Sequence, residues 1–265
     1  MVATLVVPIP QINPSLYAWH PHPTKPNVFR RHALGPETKW ARQAPKNREL
    51  YLSGLITLQV PCDPIEFLGS AKIAWLQLRY EHPEVVMGPN GEFAEDGSAM
   101  IECEIPADKH DAGRWAERTM AFGTNTSGSA PSEAMLSAEK MMREEEVSDA
   151  VCVYLHPTFS TSPAQVFGAG FSFRVGHQMA DGMGAYIIAG YFLRFLAEGL
   201  GGRHEEDLHW GDAAKHLPEP WVKMMNAYQQ TAGKEFEANV AKNTALVLET
   251  VVCLLCHKSS VPALT

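Results

Sequence analysis

The residues of this chain with the clearest chemical potential lie together at His177-Gln178-Met179-Ala180-Asp181-Gly182, where a histidine precedes an aspartate by four positions. A neutral imidazole accepts a proton near neutral pH, so His177 can serve as a general base. Asp181 is spaced to shape the turn that holds it. Taken alone, the same residues also fit a satisfied core histidine at a turn and an ordinary helix N-cap. Other chemistries find less support. Ser127, Ser129 and Ser132 lie in a Gly-rich loop without the G-x-S-x-G elbow of a serine hydrolase. No Walker loop and no G-x-G-x-x-G occurs. Cys253-Leu254-Leu255-Cys256-His257 has the haem-attachment spacing, but it reads as the end of an apolar helix, and as a zinc site it lacks a fourth ligand. His20-Pro21-His22-Pro23 has no carboxylate or Cys nearby and reads as a Pro-stiffened loop, so no metal is expected.

The flanking elements must place the His177 turn. Val166 to Val175 alternates, with Phe167, Ala169, Phe171, Phe173 and Val175 on one side and Gly168, Gly170, Ser172 and Arg174 on the other. His177 continues the apolar parity. Gly168 and Gly170 suit a strand that another backbone or a substrate path approaches closely. Met183 to Leu200 reads as a helix apolar almost all round, hence buried. Upstream, Leu50 to Val60 reads as a strand. A helix follows it, with Asp63 as N-cap, Pro64 at its first position and Glu66 completing a capping box. Ile65, Leu68, Ala71, Trp75 and Leu78 recur at helical spacing, and the helix stops before Pro83. Met100 to Ile105 and Ala150 to Leu155 read as strands, and Pro131 to Glu146 as an exposed amphipathic helix. The first 45 or so residues, rich in Pro, His and Asn, read as an extended arm with at most a short strand at Thr4 to Val7. Beyond Pro218 the pattern is helical.

The 265 residues are 45% hydrophobic and 20% charged, which excludes dominant disorder and a collagen-like chain. A net charge of −8 argues against a nucleic-acid partner. Met1 to Val7 lacks a basic start and is followed by Pro8 and Pro10, unlike a signal peptide. No apolar run reaches the roughly 20 residues of a membrane span. The five cysteines then read as reduced thiols and the chain as cytoplasmic.

With those residues in place, the His177-to-Gly182 turn resembles the HxxxDG motif of the chloramphenicol-acetyltransferase-like superfamily. That group includes the BAHD-type acyltransferases, the trichothecene O-acetyltransferases and the condensation domains of peptide synthetases. The strand at Leu50 to Val60, the helix from Asp63 and Arg79-Tyr80-Glu81-His82-Pro83-Glu84-Val85 are similar to the family's first strand, first helix and following segment. The resemblance implies an α/β fold: a CAT-like sandwich lobe with a mixed or antiparallel sheet flanked by helices, one lobe of a normally two-lobe protein. It implies an arm over 1–48, the lobe over 49–210 and a helical crossover or extension over 211–265.

It further implies acyl transfer from a CoA or carrier thioester to a hydroxyl or amine of a small molecule in secondary metabolism. His177 is then the base, Asp181 a structural partner pairing with an arginine (Arg79 the candidate), and Gly182 the close turn beside the tunnel. Ser172, Arg174 and Gly176 become tunnel candidates. Gly176 stands where condensation domains carry a second histidine, which favours the BAHD-like or trichothecene-like branch. Acyl-CoA enters as co-substrate, with no permanently bound cofactor. The DFGWG-type motif of the second lobe is missing. The resemblance then implies either one lobe of a split, truncated or mis-predicted gene product, with a second-lobe partner chain, or a lobe that works by self-association. Two other readings are a non-catalytic remnant or interaction subunit, and a condensation-like protein acting on carrier-bound acyl groups.

Overall fold

The computed structural model describes residues 13–43, 49–123, 131–144, 150–160, 165–177, 179–202 and 208–219. The chain divides into Tyr17–Pro218, described below, and a second unit, Met1–Leu16 with Glu219–Thr265, of which only 13–16 and Glu219 are described. Thr4 to Val7, Ser127 and Ser129, the helical pattern beyond Pro218 and Cys253 to His257 lie outside the described residues.

The described part of the arm, 13–43, carries more regular structure than its composition suggests. It contributes strands β1 (His20–Pro21) and β2 (Val28–His32) and a short helix α1 (Gly35–Ala41). These are followed by β3 (Glu49–Cys62), α2 (Pro64–Glu81), β4 (Gly88–Phe93), β5 (Ala99–Glu104), α3 (Lys109–Thr119), β6 (Met120–Phe122), α4 (Pro131–Glu144), β7 (Val151–Phe159), β8 (Val166–Gly176) and α5 (Gly182–Leu200). Two sheets result. The smaller is antiparallel, in the order β1-β2-β5-β4. The larger runs β3-β8-β7-β6, antiparallel except for the parallel β6–β7 pair.

Helices cover both faces of the large sheet. On one face the side chains of Phe171, Phe173 and Val175 on β8 and Val151, Val153 and Leu155 on β7 meet α2 and α5 in the main core. On the other, α4 lies across the sheet, with Ala138 and Met142 buried against Cys152 and Tyr154. That helix is therefore a covering layer, not an exposed rod. Its approach explains a glycine: a Cβ on Gly170 would come within 2.5 Å of Met135 N. A smaller core joins Ala99, Ile101 and Cys103 of β5 to Trp210, which opens a 3-10 turn at Trp210–His216.

Three expectations shift. Asp63 does cap α2, accepting from Ile65 N at 2.7 Å. However, the buried face of α2 is Phe67, Ser70, Ala71, Ala74, Trp75, Leu78 and Arg79, whereas Ile65 is 81% exposed. In β8, pairing jumps at Thr158/Phe159, and Val166 takes the core position expected of Phe167. In α5, Met183, Tyr186 and Ile187 are exposed, so the helix is buried along one side only. No helix among the described residues is long and apolar enough to cross a membrane.

Candidate active site

His177 stands where β8 turns into α5. The Gly176 carbonyl closes the turn, accepting from Met179 N at 2.9 Å and Ala180 N at 3.3 Å. Met179 packs on both cores, so the turn is anchored from inside. The Asp181 carboxylate accepts from Gly184 N at 2.8 Å and caps α5. Gly184 is needed here, since a Cβ would lie 2.9 Å from Ala180 Cβ.

The ring of His177 is half-exposed and held twice. Nδ1 lies 3.1 Å from Ala180 O. A carbonyl oxygen only accepts, so Nδ1 carries the hydrogen, and in the neutral ring Nε2 keeps its lone pair. The ring face stacks on the Trp40 indole, with centroids 3.9 Å apart and planes 19° from parallel. Trp40 was not singled out from the sequence. The available signal was Gly35-Pro36-Glu37, which has a helix-start pattern with proline near the first position and glutamate at the third.

The other expected site residues go to different places. Arg79 does not pair with Asp181. Its buried guanidinium donates to Pro83 O at 3.0 Å and to Glu104 O, and lies over the Trp115 ring. It ties the end of α2 to the end of β5, and burial lowers its pKa. Ser172 and Arg174 are buried on the α4 side of the sheet. Ser172 shares a hydroxyl hydrogen bond of 3.0 Å with Ser53, and Arg174 donates to Cys152 Sγ at 3.2 Å and lies 3.7 Å from Glu49. These are structural partners in place of an open path. Beside them Tyr51 donates to Glu49 at 2.6 Å, and burial, reinforced by that carboxylate, pushes its hydroxyl up to about 12. Gly176 serves the turn through its carbonyl. Gly182 has no left-handed φ, and an added Cβ would meet nothing within 4 Å. Among the described residues no group of three or more His, Cys, Asp or Glu side chains could hold a metal ion.

The family described as 15-O-acetyltransferase Tri3 matches residues 9–254. The chain belongs to that family. This Tri3-family chain is 22% identical over 255 residues to the trichothecene 15-O-acetyltransferase TRI3 of Fusarium sporotrichioides, covering 91% of this chain and 49% of that protein. It is 23% identical over 246 residues to SAT12 of Stachybotrys chartarum, named as a 15-O-acetyltransferase, covering 88% and 43%. Against the solved structure of the Fusarium TRI3 the TM-score is 0.66 at 21% identity, again over 91% of this chain and 49% of that one, which establishes the shared fold. The chain thus spans about half the length of the curated relatives it matches.

Proposed function

We propose that this chain is an acyltransferase lobe that moves an acetyl or similar acyl group from a CoA thioester to a hydroxyl of a small secondary metabolite of the trichothecene type. The observation that carries the reading is the tether from His177 Nδ1 to Ala180 O, which leaves Nε2 as the basic nitrogen. Nε2 takes the proton of the acceptor hydroxyl as its oxygen attacks the thioester carbonyl. The tetrahedral adduct then collapses, the C–S bond breaks, and the imidazolium returns the proton to the departing CoA sulfur. No acyl-enzyme forms, and CoA is used and released instead of being held permanently. Asp181 supports the base by capping the helix that carries the turn onward.

The exposed stripe of Met183, Tyr186 and Ile187 beside the turn favours a second reading in which the lobe works only when that surface is covered by a second lobe or another copy. Sedimentation of the purified chain addresses this, and a monomer with full turnover overturns it.

For the main reading, free CoA release and ester formation are measured with an acyl-CoA panel on the wild type and on His177→Ala. Turnover should fall on the order of 10²-fold or more in the variant. Retention of turnover removes His177 as the base.

A further inference from the structure

We propose that Trp40 is a positioning residue of this site, its indole fixing the plane of the His177 imidazole so that Nε2 meets the acceptor hydroxyl. The proposal rests on the reading of His177 as base. The bond from Nδ1 to Ala180 O, 3.1 Å long, fixes one edge of the ring but leaves it free to swing about that edge. Histidine χ2 is a broad torsion, so local geometry alone leaves the plane loose. The stack at 3.9 Å and 19° supplies the second constraint. One face and one nitrogen are thereby engaged, and Nε2 makes no hydrogen bond among the described residues.

The platform is itself held firmly. Arg31 donates twice to Glu37 on α1, at 2.7 and 2.6 Å, and the same carboxylate accepts from Leu34 N at 2.7 Å. At the other end Arg42 donates to Gly97 O at 2.9 Å. These contacts dock α1 on the small sheet and carry its indole to the end of the large one. Core packing does not account for the residue, because α1 has no buried side chains. The contact also suits the chemistry: an aromatic face is negative, so the positive charge His177 gains during transfer sits over a favourable surface.

The test compares the full chain with Trp40→Phe, Trp40→Ala and His177→Ala by steady-state kinetics with an acyl-CoA and an alcohol. The imidazole resonances of His177 are followed alongside by NMR. Trp40→Ala should lower kcat about 10-fold to 10²-fold with KM changed by less than about threefold, since misplacement of a base acts on the reacting geometry. Trp40→Phe should recover most of the loss. In Trp40→Ala the His177 ring protons should lose their upfield ring-current shift, and the single Nδ1–H form should give way to a mixture. Inactive His177→Ala with unchanged kcat in Trp40→Ala overturns this proposal and leaves the base intact. Active His177→Ala overturns the base. Should the chain alone show no turnover, the NMR arm decides: an unchanged His177 ring in Trp40→Ala sinks the proposal, and loss of the single form supports it.

Discussion

Arg31 and Glu37 meet in a two-point fork, 2.7 and 2.6 Å, in which both side chains are largely withdrawn from water. The pair joins strand β2 to helix α1 and so sets where the indole over His177 can lie. Such forks carry orientation as well as attraction, because the guanidinium and carboxylate planes must match.

Removing one partner leaves the other charge buried and unmatched. Glu37→Ala should therefore destabilise the chain by about 3 kcal/mol. The denaturant midpoint measures this. Arg31→Lys should lose part of the same stability, since an ammonium cannot reproduce the fork. A midpoint for Glu37→Ala equal to that of the wild type removes the fork from the account of α1.

The turn itself separates structural from chemical roles. Asp181→Asn keeps a cap oxygen and should hold stability, whereas Asp181→Ala should cost about 1 kcal/mol. Gly182→Ala faces open space at an ordinary φ and should be neutral or slightly stabilising, up to about 1 kcal/mol. A stable Gly182→Ala chain with reduced turnover places the need for glycine in substrate approach. Urea titration with parallel activity assays resolves the two.

His156 on β7 is 8% exposed, with neither ring nitrogen hydrogen-bonded among the described residues. Burial lowers its pKa below the ordinary histidine value of 6.5. The unfolded chain then binds the proton first, so stability is complete above about pH 6.5 and declines as pH falls through and below that value. Replacing His156 with Leu should flatten the part of the profile between about pH 7 and 5. Thermal melts across that range check it, and an unchanged slope in His156→Leu overturns the assignment.

What the sequence makes legible here is local. Asp63-Pro64 announces its helix because the cap and the first turn are neighbours in the chain, and Asp181 does the same for α5. The alternation of β8 reveals its core face, apart from Phe167, where a pairing irregularity with a partner strand resets the parity. Long-range choices stay hidden. Nothing near Arg79 says that it will take the carbonyls of Pro83 and Glu104 and leave Asp181 to its own helix. Trp40 meets His177 through a long-range pairing, since Glu49 of the strand that follows α1 stands opposite Gly176, the residue before His177. Apolarity around α5 indicated burial, but the hydrophobic count cannot say which neighbour covers which side, and Met183, Tyr186 and Ile187 are left facing out.

The pairing of β3 with β8 has a further consequence for how the chain is made. Leu50 faces Val175 across that ladder, and partners lie roughly 120 residues apart, so this contact closes late and its loop is long. During synthesis β3, with its apolar Leu50, Leu52 and Ile56, emerges well before the strand that shields one of its edges. An apolar strand with both edges open is an invitation to pair with another nascent chain. Because the same ladder ends at Gly176, one residue before His177, the turn that holds His177 cannot form without first resolving that exposure. Soluble yield and the geometry around His177 are set by the same event.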